Sequence, residues 1–103
     1  MEHWWIDSDN AVQLTGLHDA VTGQYVNDAE VTAVLTDDGG NVVEGADAIV
    51  LAYQDGSDGD YVGQIGHGVA LAEGRQYTLT VTACGGEFQL VIKLTRQAAY
   101  KGP

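Results

Sequence analysis

A single cysteine, Cys84, leaves this chain without an intrachain disulfide, so packing alone has to hold the fold and no oxidising compartment is implied. Proline is as scarce: Pro103, the last residue, stands against fourteen glycines, a balance that suits short strands and many turns. No run comes near the roughly 18–20 continuous apolar residues of a membrane-spanning helix. Nor does any useful length carry the 3.6-residue periodicity of an amphipathic helix. Residues 1–74 hold no Lys or Arg, while fourteen of the fifteen acids lie there; Arg75, Lys93, Arg96 and Lys101 all come later. A net charge of −11 repels nucleic acid and anionic membrane, which excludes both as partners at this stage. The acidic surface is then either simply solvated or turned toward a basic partner or cations. The opening MEHWWIDSDN has no basic n-region, long apolar stretch or small-residue cleavage site, so it does not read as a signal peptide. The expectation is synthesis in the cytoplasm without export by the usual route.

What is present is alternation. From Leu71 to Arg96 the chain reads as two long antiparallel strands joined at Cys84-Gly85-Gly86. Tyr77, Leu79, Val81 and Ala83 share one face of the first strand, with Gln76, Thr78, Thr80 and Thr82 on the other. Phe88, Leu90, Ile92 and Leu94 alternate with Gln89, Val91, Lys93 and Thr95 in the second. Period-two patterning on both sides of a glycine turn predicts a hairpin, and a one-residue slip would expose both apolar rows.

Upstream, the spacing predicts strands over Ala11–Leu17, over Ala29–Thr36 and over Tyr61–Ile65, with a short piece at Val42-Val43. Ala48–Gln54 is apolar on both faces, which places it centrally in a sheet. Val69 and Leu71 return to the pattern after Gly66-His67-Gly68. Seven to eight short strands separated by turns predict one all-β domain, an antiparallel β-sandwich. The reading divides the chain into an N-terminal arm (1–10), a sandwich domain (11–96) and a C-terminal tail (97–103).

One stretch resembles a known family. Leu71-Ala-Glu-Gly74-Arg-Gln-Tyr77-Thr-Leu-Thr-Val81 is similar to the penultimate strand of immunoglobulin-like or fibronectin-type-III-like sandwiches. There a tyrosine corner ties its hydroxyl to backbone a few residues upstream. Asn27-Asp28-Ala29-Glu30-Val31, Asp38–Ala46 and Gly59-Asp60-Tyr61 resemble pieces of bacterial and phage modules of that type. The resemblance covers about residues 11–96. Antibody domains carry a cysteine pair and a core tryptophan in that region, and this chain has neither there, so it resembles the disulfide-free branch. The resemblance implies an immunoglobulin-like fold and structural roles for Leu71, Gly74 and Tyr77; fold alone does not imply function.

Three groups of residues are weighed for chemistry. Asp55, Asp58 and Asp60 lie within six residues on a glycine-rich loop and are the candidate ligands for a hard cation such as Ca²⁺; the spacing is not that of an EF-hand, and a hydrophilic hairpin loop is the plainer reading. His3, His18 and His67 are scattered, and Cys84 has no sequence neighbour that would lower its pKa. Ser8 and Ser57 sit in no nucleophile motif. These readings predict no enzyme. They predict a structural or interaction protein, with the phage-type resemblance favouring a small virion component of a tailed phage in the head or neck. Trp4, Trp5 and Ile6 of the arm would then bind capsid, neck, tail or sister subunits, and removing residues 1–6 would leave the domain folded. An extracellular adhesion or carbohydrate-binding module, stabilised by calcium, is the alternative.

Overall fold

Alternation decides the largest unit, a hairpin of β6 (Gln76–Gly85) and β7 (Phe88–Tyr100) that pairs in register from Gln76↔Gln97 to Gly85↔Phe88. The computed structural model describes residues 3–19, 21–85 and 88–100, so Gly86 of the expected turn lies outside the described residues. Five further strands complete the sheet: β1 (His3–Ile6), β2 (Asn10–Leu14), β3 (Glu30–Asp37), β4 (Ile49–Tyr53) and β5 (Tyr61–Ile65). Among the described residues there is no helix.

The strand order is β1-β7-β6-β3-β4-β5-β2, antiparallel throughout except for the parallel pair of β1 with β7. β1 and β2 follow one another in the chain yet hold the two ends of this order, so the mixed sheet curls until its ends nearly meet, close to a barrel. The short turn between them includes Asp7 at φ 57°, a left-handed backbone that Asp tolerates better than most residues. β4 divides its pairing between its two neighbours. Its first residues pair with β3 through Val31↔Leu51 and Ala33↔Ile49, and its last with β5 through Tyr53↔Tyr61.

Every second residue of β3 and β6 enters the core: Val31, Ala33 and Leu35 from one, Tyr77, Leu79, Val81 and Ala83 from the other. Leu35 and Leu79 are fully buried cross-strand partners. Burying an aliphatic side chain of this size contributes about 1.5–3 kcal/mol, before the entropy of ordering the chain is charged against it.

Three expectations change here. Residues 3–6, predicted as part of an arm, form a strand, because Trp4 and Ile6 alternate inward and bury against the core. Residues 97–100, predicted as tail, continue β7 and pair with that strand, His3↔Gln97 through Ile6↔Tyr100. β4 is central by pairing but not buried on both faces, since Val50 is 67% exposed. Val42 makes one isolated bridge, to Thr36, and Val69 and Leu71 lie outside any strand.

Candidate interaction face

The outward side of β4-β3-β6-β7 is uniform in composition. Its composition follows from strand parity: with the odd residues of β3 and β6 in the core, the even ones face out. The register sets them in rows. Val42, Thr36, Thr78 and Thr95 form one row. Val34, Thr80 and Lys93 form the next, and Val50, Thr32, Thr82 and Val91 the third. Thr and Val are the residues that pack best on a pleated, half-exposed surface. The Thr78 and Thr95 hydroxyls bond each other at 2.8 Å, and Thr36 Oγ1 donates to Thr78 O at 3.3 Å, which stiffens one end of the array.

Across these three rows the only charge is Lys93. Glu30 stands at the border in the row of Cys84 and Gln89. Asp38, beyond the other end, is held by Arg75. For a chain with fifteen acids, a four-strand face without a carboxylate in its interior is a concentrated departure from the rest of the surface. Three of the exposed large apolar residues, Val42, Val50 and Val91, are also found here. Charge depletion with exposed apolar groups is the compositional mark of an interface core.

The residues singled out from sequence are placed elsewhere. Trp4 is 1% exposed, donates from Nε1 to Tyr77 O at 3.0 Å and lies beneath the Arg96 guanidinium, 4.7 Å from the ring centre. Trp4 and Ile6 are therefore occupied by the chain's own core. Trp5 points the other way, half-buried, with its ring 5.2 Å from that of His3. Asn10, which sequence reasoning passed over, holds Trp5 in place by accepting from its N–H at 2.8 Å and donating to its carbonyl at 2.9 Å.

The acidic loop does not gather its carboxylates. Asp55 and Asp58 are exposed, whereas Asp60 Oδ1 accepts from Gly16 N at 3.0 Å. Among the described residues no three His, Cys, Asp or Glu side chains converge where they could hold a metal ion. A shallow hollow at the seam between β2 and β7 is lined by Trp4, Ala11, Val12, Gln13, Leu94 and Arg96, whose only charged group is the arginine already stacked on Trp4.

Tyr77 and Tyr61 each fasten a loop to the sheet. Tyr77 accepts at its hydroxyl from Ala72 N at 2.8 Å, fixing the turn through Leu71 and Gly74; Gly74 takes φ 83° there and donates to Ala98 O at 2.9 Å. Tyr61, not singled out from sequence, donates to Val26 O at 2.7 Å and accepts from Ala29 N at 3.1 Å. A phenol that both donates and accepts loses two bonds on conversion to Phe and leaves two backbone groups short. We expect Tyr61→Phe to cost about 2 kcal/mol and Tyr77→Phe about 1 kcal/mol, read from urea midpoints. Equal losses in the two variants would contradict this ranking.

Electrostatics outside the face are local. His67, a lone loop histidine in the sequence, donates from its backbone N to Asp9 Oδ1 at 2.8 Å, with its ring Nδ1 3.1 Å from the same oxygen. These bonds, the side-chain one first, hold the Asp9 carboxyl below its ordinary pKa. Asp37 is lowered chiefly by the Asn41 backbone N–H, and Arg75 is raised by its bond to Asp38. A depressed carboxylate stabilises the fold above its unfolded pKa and loses that contribution as pH falls through the folded value. Asp9 and Arg75 are solvent-exposed and Asp37 is half-buried at the surface, so each share is small.

Comparison with known proteins adds no further constraint. No protein-family model, curated protein or solved structure matches this chain. The functional reading therefore rests on the geometry.

Proposed function

We propose that this chain is a non-enzymatic structural protein that joins a larger assembly through its uncharged β4-β3-β6-β7 face. The observation that carries the reading is the charge pattern: the acids lie around the face and not within it, which leaves a Thr/Val surface with a single lysine. Removing acids from one face of a strongly acidic protein lowers the desolvation cost of covering that face and leaves the repulsion elsewhere intact.

We also read the domain as immunoglobulin-like and of the disulfide-free type. The bond from Ala72 N to the Tyr77 hydroxyl supports this. So does the way β4 divides its pairing between β3 on one side and β5 on the other, as a strand does on passing from one layer to the next. The setting we propose is the virion of a tailed phage, at the head or neck, with other virion proteins or sister subunits as partners; the phage-type resemblance of residues 27–31, 38–46 and 59–61 supports it. Trp5, half-exposed at the β1 edge, keeps the partner-facing role first expected of Trp4, Trp5 and Ile6 together.

Mass spectrometry of purified particles should find the protein as a stoichiometric component, and Thr80→Glu should be lost from particles while Val21→Glu, at a loop residue 94% exposed and off the face, is retained. Absence of the wild-type protein from particles would sink the virion setting; equal retention of both variants would sink the role of the face. A thermal midpoint that climbs with added calcium would favour the adhesion module and Asp55, Asp58 and Asp60 instead, because a ligand bound only by the native state must raise its stability.

A further inference from the structure

We propose that the occupant of the β4-β3-β6-β7 face is a second copy of this chain, docked face to face about a two-fold axis. The inference rests on reading that face as an interaction surface and adds the identity of the partner.

Charge is the first argument. Two copies that each carry −11 repel one another in almost every orientation. Stacking the uncharged faces is the approach that desolvates the fewest carboxylates, leaving Glu30 at the border and the loop acids at or beyond the rim. A strongly basic partner would gain most by covering the acidic loops, not a face whose interior charge is a lysine.

Self-complementarity is the second. A two-fold interface brings a patch against its own copy, so its groups must be able to pair with themselves. A carboxylate or an ammonium cannot do this, but a hydroxyl both donates and accepts. Thr32, Thr80 and Thr82 have no bonding partner for their hydroxyls among the described residues, and Val34, Val50 and Val91 interleave methyl groups between them. With an axis along the strands between β3 and β6, β7 of one copy lies over β4 of the other. Lys93 then meets the start of β4, next to the exposed Asp47, and not the other Lys93.

Size is the third. Three rows, each two residues of about 3.4 Å deep, across four strands about 4.8 Å apart give the face a plan area of about 400 Å². That is below the about 800 Å² per partner of a standard interface and fits the smaller class of weak, transient contacts. The expected contact is reversible.

Sedimentation velocity on the full chain tests this. The wild-type protein should pass from a 10.9 kDa monomer to a species of twice that mass as concentration rises. Added salt should strengthen the association, since it screens repulsion between like-charged copies; binding to a basic partner would weaken instead. Thr80→Glu, which sets a carboxylate at the centre, should weaken dimerisation at least tenfold with an unchanged far-UV spectrum, and Val21→Glu should leave it unchanged. If Thr80→Glu does not fold, Val91→Glu, at a residue already 51% exposed, replaces it. A wild-type protein that stays monomeric at every concentration and salt overturns the proposal, as does undiminished dimerisation of the face variant or equal weakening by Val21→Glu. The proposed function is judged separately, by whether Thr80→Glu is lost from particles.

Discussion

Trp4→Ala is expected to lower stability by about 3–5 kcal/mol, the range for truncating a large buried aromatic side chain. Three losses combine. The indole is 1% exposed and among the largest fully buried side chains, so its removal leaves a cavity that the short β1 cannot collapse to fill. The bond from Nε1 to Tyr77 O disappears, leaving that carbonyl short of a donor inside the core. The Arg96 guanidinium loses the ring beneath it. Against a total of about 5–15 kcal/mol for a domain of this size, the variant should be marginal at physiological temperature. Trp5→Ala, at the neighbouring outward position, should cost less than about 1 kcal/mol. Chemical denaturation of the two variants checks the contrast; comparable losses would mean that β1 is not docked as described. The same reasoning reverses the expectation that residues 1–6 can be removed without unfolding the domain, since Trp4 and Ile6 would leave together.

Gly59→Ala should be as damaging, through the backbone. A Cβ at this position would lie 2.4 Å from Leu17 O and 2.5 Å from Leu17 N, closer than any carbon can stand to either atom. The approach is this close because Leu17 N donates to Gly59 O at 2.9 Å and Gly59 N donates to Asn27 Oδ1 at 2.8 Å, which ties three loops at one end of the sheet. Relieving the clash means breaking those bonds, and φ of 74° adds the strain of a left-handed residue with a side chain. A loss of about 4 kcal/mol is expected, at the upper end for single substitutions. Gly56→Ala is the control, because φ there is 84° but nothing lies within 4 Å of the added carbon. It should cost only the conformational term, about 1–2 kcal/mol. Calorimetric melting of both variants would refute the tie between loops if their midpoints fell equally.

The contrast between these glycines shows what could be read in advance. Both sit in the same Asp/Gly loop, and the sequence predicts a turn at each. That one of them touches Leu17, forty-two positions earlier, is a fact of long-range packing that no local pattern carries. Strands were legible where one face is buried and the other wet, as in β3, β5 and β6, because the period-two pattern is then unbroken. β1 was not. Four residues are too few to display a period, and two adjacent tryptophans, which point oppositely in an extended chain, read as an arm that binds a partner. β7 was cut short for a related reason: Gln97, Ala98 and Ala99 look like a tail until β1 is laid beside them.

The candidate face is spread over separate stretches of sequence. Thr78, Thr80 and Thr82, Val34, Val50 and Val91 occupy the polar side of the alternation, and Val50, within the apolar run Ala48–Gln54, reads as buried although it faces out. The informative signal is subtler: in a chain this acidic, the outward positions of β3, β6 and β7 carry no Asp or Glu between Glu30 and Asp38, between Gln76 and Gly85 or between Phe88 and Arg96. Seeing it requires knowing which strands are neighbours, which the order β4-β3-β6-β7 supplies.

The parallel pairing of β1 with the end of β7 also governs how the domain bears load. His3 lies beside Gln97 and Ile6 beside Tyr100, so the first and last strands run the same way while a tug on the two ends of the chain pulls them oppositely. The force acts along the strands, and the rungs between them share it at once rather than parting in succession. Trp4, pinned beneath Arg96, adds a side-chain catch to that ladder. A module tethered at both ends would resist extension at this one seam, with the core behind it shielded until the seam slides.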